Sequence, residues 1–330
     1  MSQLPTPTTS NSENTMTRTP LRGIVPPLAT PFTLSGDIDF ASLRSLVEFQ
    51  ITSGVHGLFV LGSTGEVAYL DDDQRADIIS AVVETAAGRV PVLAGAIDLT
   101  ARRVIAQVRR AEAAGADGVV VTAPIYAING VADIENHFRV VAAASSVPVY
   151  AYDIPVRVKT KLDGAMLVRL GLEGVLAGVK DSSGDDVAFR WLVENNRVAG
   201  SPLTVLTGHE VVVDGMLLLG ADGAVPGLAN VDPVGYVQLW DLAQEGRWSE
   251  VADAQARISA LFDIVNQSTG RSGDAAGVGA FKAAMEDLGL ISSRTMAFPI
   301  TALDDETARR VAAIVARAGL TPVPSGSLVQ

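Results

Sequence analysis

The chain has 330 residues, 48% of them apolar, and carries 37 acidic against 25 basic side chains for a formal charge of −12. That length and apolar content suit one large domain or two small ones with a sizeable core, and the acidity argues against nucleic acid, whose phosphates call for Lys and Arg. The absence of cysteine excludes disulfides, thiolate nucleophiles and cysteine-ligated metals.

No apolar run reaches the roughly 18 residues that a membrane helix needs. No apolar stretch of the secretory kind follows an early positive charge. A cytoplasmic protein that does not engage a membrane is the expectation. Residues 1–20, rich in Ser, Thr, Pro and Asn, read as a disordered tail. From Arg22 a pattern repeats at intervals of mostly about 30 residues: a short β-branched run, a turn with Gly, Asp, Pro or Ser, then an amphipathic stretch. The runs are Gly23–Leu28, Gly57–Leu61, Val90–Ala94, Gly118–Thr122, Pro148–Tyr152, Val175–Lys180, Leu203–Leu206 and Asp222–Val225. Between them, Phe40–Thr52, Asp72–Ala87, Thr100–Ala114, Val131–Ala144, Leu162–Leu170 and Val211–Leu219 read as helices.

Continuous apolar runs suit buried parallel strands, and their alternation with helices implies right-handed βαβ units. Eight such units predict an α/β fold, a (β/α)₈ TIM barrel over residues 21–231. The runner-up, a doubly wound open sheet, leaves two units unused. Residues 232–320 predict helices without strands, packed on the barrel as a C-terminal helical extension: Trp240–Gly246, Ser249–Gln267, Val278–Leu288 and Asp304–Ala318. Residues 321–330 read as a frayed tail.

A barrel of this type builds its active site where the strands end. Of four lysines, Lys159 and Lys161 fall in a polar connection and Lys282 on a late helix. Lys180 alone ends an apolar run. A desolvated amine there is a nucleophile for carbonyl carbon; the other reading is a lysine paired with Asp181 or another carboxylate. After the second run comes Gly62-Ser63-Thr64-Gly65-Glu66, whose glycines, backbone N–H groups and hydroxyls form an anion nest, although such turns are also Gly- and Ser-rich for backbone reasons. It is neither a P-loop nor a dinucleotide fingerprint. At the fifth strand end, Tyr152 offers a proton-relaying phenol and Arg157 a bidentate partner for a carboxylate, or else a rim anchor and a solvated cation. Tyr126, after the fourth strand, is a further phenol or a subunit-contact aromatic. Val225 closes the eighth run and joins the substrate-binding set. The nucleophilic amine, the anion nest, a phenol and the arginine map to one face and suit capture of a small keto acid.

From about Gly23 to Leu320 these residues resemble the dihydrodipicolinate synthase / N-acetylneuraminate lyase superfamily of class I pyruvate-dependent aldolases. The resemblance rests on the Gly-Xaa-Xaa-Gly-Glu turn Gly62–Glu66, on Tyr152 with Pro155 three residues on, and on a lysine 28 residues after that tyrosine. It implies that Lys180 forms an imine with the keto acid, and that Ser63 and Thr64 hold its carboxylate with backbone N–H groups of the Gly62–Gly65 turn. Tyr152 would shuttle protons and Tyr126 complete a relay across a subunit contact in a homotetramer, a dimer of dimers. Arg157 would meet the distal carboxylate of a second substrate. No metal and no organic cofactor are implied, and the partners are a 2-keto acid and an aldehyde.

Departures from the synthase pattern are Tyr152-Asp-Ile-Pro-Val-Arg-Val-Lys159, Ser63 in the turn, Ile125-Tyr126 for paired tyrosines, Gly277–Lys282 for a Pro-rich segment, and Asp181-Ser-Ser-Gly-Asp185 after the lysine. They favour a Schiff-base lyase of the 2-keto-3-deoxy-acid aldolase type. The alternatives are 4-hydroxy-tetrahydrodipicolinate synthase, a 2-keto-3-deoxy sugar acid dehydratase, and a non-catalytic ligand-binding barrel. Of the histidines, His56 and His137 read as structural, whereas His209, after the seventh strand, is a candidate for the mouth. No pair has the close spacing of zinc ligands. Asp181 either orients groups near the lysine or caps the next helix, and Asn230 either reaches the site or closes a loop.

Overall fold

The computed structural model describes residues 21–323. Expectations for 1–20 and 324–330 therefore lie outside the described residues; at Val323, the last of them, the amide donates to Leu288 O (2.9 Å).

Eight parallel strands follow one another as predicted, within a few residues at each end. They are β1 (Gly23–Ile24), β2 (Leu58–Val60), β3 (Val92–Gly95), β4 (Gly118–Thr122), β5 (Val149–Asp153), β6 (Gly178–Asp181), β7 (Thr204–Thr207) and β8 (Gly223–Ala224). Neighbours in sequence pair in space, and β8 returns to β1. Between β1 and β2 the ring closes through a parallel bridge, Pro27 to Phe59. The fold is a (β/α)₈ barrel.

The outer ring comprises α1 (Phe40–Thr52), α2 (Asp72–Ala86), α3 (Ala101–Ala113), α4 (Val131–Ala143), the short α5 (Pro155–Val158), α6 (Gly164–Leu172), α7 (Asp186–Val198), α8 (Val213–Leu219) and α9 (Pro233–Gln244). Local chemistry explains their limits. Asp71 and Gln74 form a reciprocal capping box at the start of α2, satisfying amides that have no helical partner. On α3 the buried residues are Val104, Gln107, Val108 and Ala111, the three- and four-residue spacing of one helix face. A further helix, α7, forms over the periodic stretch 186–198, beyond those expected from the sequence.

Beyond the strands, α9 packs on β1 and α8, α10 (Trp248–Phe262) packs on α9, and α11 (Gly273–Asp287) pairs with α12 (Asp305–Arg317). The division at 231 thus separates strands from helices, with α9 completing the barrel's own ring. No helix among the described residues is long and apolar enough to cross a membrane.

The barrel interior is filled. Val25, Phe59, Val120, Tyr150, Leu206 and Val225 leave only a void of about 10 Å³ beneath Lys180. A larger cavity of about 960 Å³ opens at the amino-terminal ends of the strands, bordered by His56, Pro91, Pro148, Leu203 and Asp222. Barrel chemistry belongs to the opposite end.

Candidate active site

Tyr152 and Lys180 sit directly opposite each other in the parallel pairing of β5 and β6, and Asp153 opposes Asp181 one position on. Because successive side chains alternate faces, the first pair enters the barrel and the second turns outward beneath the helices. Lys180, 6% exposed, donates from Nζ to the Tyr152 hydroxyl at 3.1 Å. Its Nζ lies 4.2 Å from the Tyr152 ring centroid and 5.0 Å from that of Phe59. Burial pushes the Tyr152 phenol up, but the charge of Lys180 and hydrogen bonding with Ser63, Lys180 and Ser182 outweigh it, so the phenol lies below the usual tyrosine range. Opposite charge and hydrogen bonds to the ionised form are the expected causes.

The Gly62–Glu66 turn follows β2 and reaches the same point. Gly62 backs onto the Phe59 ring, where a Cβ would come within 2.7 Å. Ser63 faces Tyr152, and Thr64 faces the turn at Gly227, where an added Cβ would lie 3.3 Å from Thr64 Oγ1. Gly65 O accepts from Thr30 Oγ1 at 2.8 Å. Glu66 and Val67 donate their amides back to Ser63 O and Gly62 O, which folds the turn on itself. Glu66, buried and left-handed at φ 56, does not face the site. Its carboxylate accepts from Ala297 N at 2.8 Å and pairs with the fully buried Lys282 of α11.

Val225 lines the same small void as Lys180, a gap of about 10 Å³ within the packed barrel interior. Arg157 is near enough to interact with Tyr152 but is not free. Both its terminal nitrogens bond the Asp274 carboxylate at the start of α11. Tyr126 stands apart: it is 95% exposed on the β4–α4 connection with φ 74. The one-face mapping holds for its strand end, but a single chain does not bring its hydroxyl to Lys180.

Other expectations resolve individually. Asp181 accepts from Ser183 N at 2.8 Å and from Lys161 Nζ at 3.4 Å, while Asp185 caps α7. Asn230 closes a loop, accepting from Ala29 N and donating to Pro27 O and Gly227 O. His56 accepts from Ile24 N and meets Trp240 edge-on, and His137 pairs with Thr122 O. His209 reaches Asp186 at 3.2 Å and is partly exposed.

Four further groups stand near the site. Glu210 accepts from Gly227 N, Leu228 N and the Tyr236 hydroxyl, and burial pushes its carboxyl up although the charge of Lys180 opposes this. Asp274 holds Arg157. Lys161 contacts both Asp153 and Asp181. Lys282 anchors Glu66. Only Glu210 carried a sequence signal, its place just after β7. Ser182 and Gly208 also meet there: a Cβ at Gly208 would fall 1.9 Å from Ser182 Oγ, so glycine alone lets the β7 end lie against the serine.

The profile of the Dihydrodipicolinate synthetase family matches residues 20–318. A "DapA-like lyase" of Halobacterium salinarum, itself uncharacterised, is 35% identical over 302 residues, covering 91% of this chain and 95% of that protein. A 4-hydroxy-tetrahydrodipicolinate synthase of Phenylobacterium zucineum is 31% identical over 299 residues, covering 91% and 98%. Among solved structures, YagE, a prophage protein of the dihydrodipicolinic acid synthase family from E. coli K12 in complex with pyruvate, superposes with a TM-score of 0.85 at 29% identity, covering 91% of this chain and 99% of that one.

Proposed function

The chain belongs to the dihydrodipicolinate synthetase family, and from that membership we propose a lyase that holds pyruvate as an imine on Lys180 and makes or breaks a carbon–carbon bond to an aldehyde. The observation that carries this reading is the Lys180 amine 3.1 Å from the Tyr152 hydroxyl at the carboxyl ends of adjoining strands. The amine attacks the keto carbon, and water leaves to give the imine. Tyr152 supplies and recovers the protons. In the cleavage direction the aldehyde departs, the electron pair it leaves is stored as the enamine, and protonation and hydrolysis release pyruvate. The imine is itself the electron sink, so the reading invokes no metal or organic cofactor. The carboxylate would rest on Ser63, Thr64 and the turn's amides. Tyr126, exposed in one chain, suits a second copy that brings its phenol across, in keeping with a homotetramer.

The Arg157–Asp274 pair favours a 2-keto-3-deoxy-acid aldolase over a synthase. A distal carboxylate on the second substrate would have to displace Asp274, whereas a hydroxylated aldehyde would not. Asp274→Asn therefore lowers KM for an aldehyde bearing a distal carboxylate by about 10- to 150-fold, the worth of one charge-assisted contact, and leaves KM for a neutral hydroxyaldehyde little changed. Equal effects on both would contradict this assignment of Arg157.

The whole reading is tested by incubating the protein with 2-keto-3-deoxy acids and following the products by mass. Release of pyruvate and an aldehyde supports it. Loss of water alone would assign a dehydratase, and binding without turnover a ligand-holding barrel.

A further inference from the structure

We infer that Lys161 is a positioning residue that staples the ends of β5 and β6 through Asp153 and Asp181 and so sets the spacing of Tyr152 and Lys180. The inference rests on Lys180 and Tyr152 being the reacting pair. Each aspartate immediately follows one of those residues, and the two are register partners. Both carboxylates are buried, at 0% and 3% exposed. Two such groups side by side repel unless a cation lies between them.

Lys161 contacts both. The neighbouring Leu162 amide donates to Asp153 Oδ1 at 3.1 Å, so the connection is pinned by its backbone as well as by its amine. The strand ends continue the arrangement: Ser182 N donates to Asp153 O (2.8 Å) and Gly208 N to Asp181 O (2.6 Å). Burial holds the Asp153 carboxyl up at about 6, with Asp181 adding to the rise and Lys161 opposing it. The Lys161 side chain is one-third exposed, so Lys161→Met removes charge without opening a deep cavity.

At alkaline pH, where Asp153 stays ionised even without its cation, the carboxylates push the strand ends apart next to the reacting pair. A displacement on the scale of an ångström costs up to about 100-fold in rate, so Lys161→Met lowers kcat by roughly 10- to 100-fold while KM for pyruvate moves far less. Asp153→Asn added to Lys161→Met removes the repulsion and restores kcat to within about twofold of Asp153→Asn alone. A structural role without charge coupling gives no such rescue.

Tyr152 ionisation provides a readout independent of turnover, followed by ultraviolet titration against Tyr152→Phe. Lys161→Met raises the Tyr152 midpoint, and adding Asp153→Asn brings it back. If wild-type protein fails to trap pyruvate on Lys180, the mechanism falls and the titration still judges the staple. If Lys161→Met leaves both kcat and the Tyr152 midpoint unchanged, or if Asp153→Asn rescues neither, the staple is refuted.

Discussion

Lys180→Ala lowers kcat by roughly ten-thousand-fold or more, the scale on which the loss of a covalent nucleophile is felt. The physical reason is that no other amine stands in its place. Among the described residues Lys161 is engaged by Asp153 and Asp181, Lys282 by Glu66 on the far side of the turn, and Lys159 bonds Val156 O in an exposed connection. Tyr152→Phe costs less, about 10²- to 10⁴-fold, because it removes a proton shuttle and leaves the nucleophile in place. Lys180→Arg keeps the charge but cannot form the imine, and it falls with the alanine variant. Steady-state turnover of the three variants reads the order directly. A Lys180→Ala protein within tenfold of wild type would remove the mechanism altogether.

Lys282→Met destabilises the fold by about 3–5 kcal/mol, because it strands the Glu66 carboxylate in the core without its cation. Glu66 and Lys282 are both buried, the lysine completely. Lys282 also donates to Thr295 O at 2.9 Å and lies 4.4 Å from the Phe32 ring centroid. The pair therefore ties α11 and the 295–297 segment to the turn that carries Ser63 and Thr64. The loss comes from the unpaired charge more than from the missing bond, so Glu66→Gln on top of Lys282→Met recovers much of it. Urea unfolding of both variants checks this. If the double variant is no more stable than Lys282→Met, the stranded charge is not the cause.

The barrel was legible in the sequence because its strands are short apolar runs with turn residues at a near-constant interval, and each hydrophobic run needs only local pattern to be seen. The same pattern identified Lys180, which breaks its run, and the glycine-bounded turn at 62–66. Arg157 was read as free because its partner, Asp274, lies 117 residues away. Lys282 reads in sequence only as a helix residue, although α11 carries it to Glu66 behind the turn. Lys161 was equally opaque: the value of that lysine depends on two aspartates that turn outward from adjacent strands, and only register and pleat place them together. Tyr126 marks the opposite limit, a residue on the correct rim whose hydroxyl a single chain leaves in solvent.

The imine on Lys180 is the step on which the proposed reaction depends. Borohydride reduction in the presence of pyruvate, followed by peptide mass mapping, detects it. The expected result is a reduced pyruvyl adduct on the peptide containing Lys180, absent from Lys180→Ala. An adduct on another lysine, or none with pyruvate or with longer 2-keto acids, would contradict it.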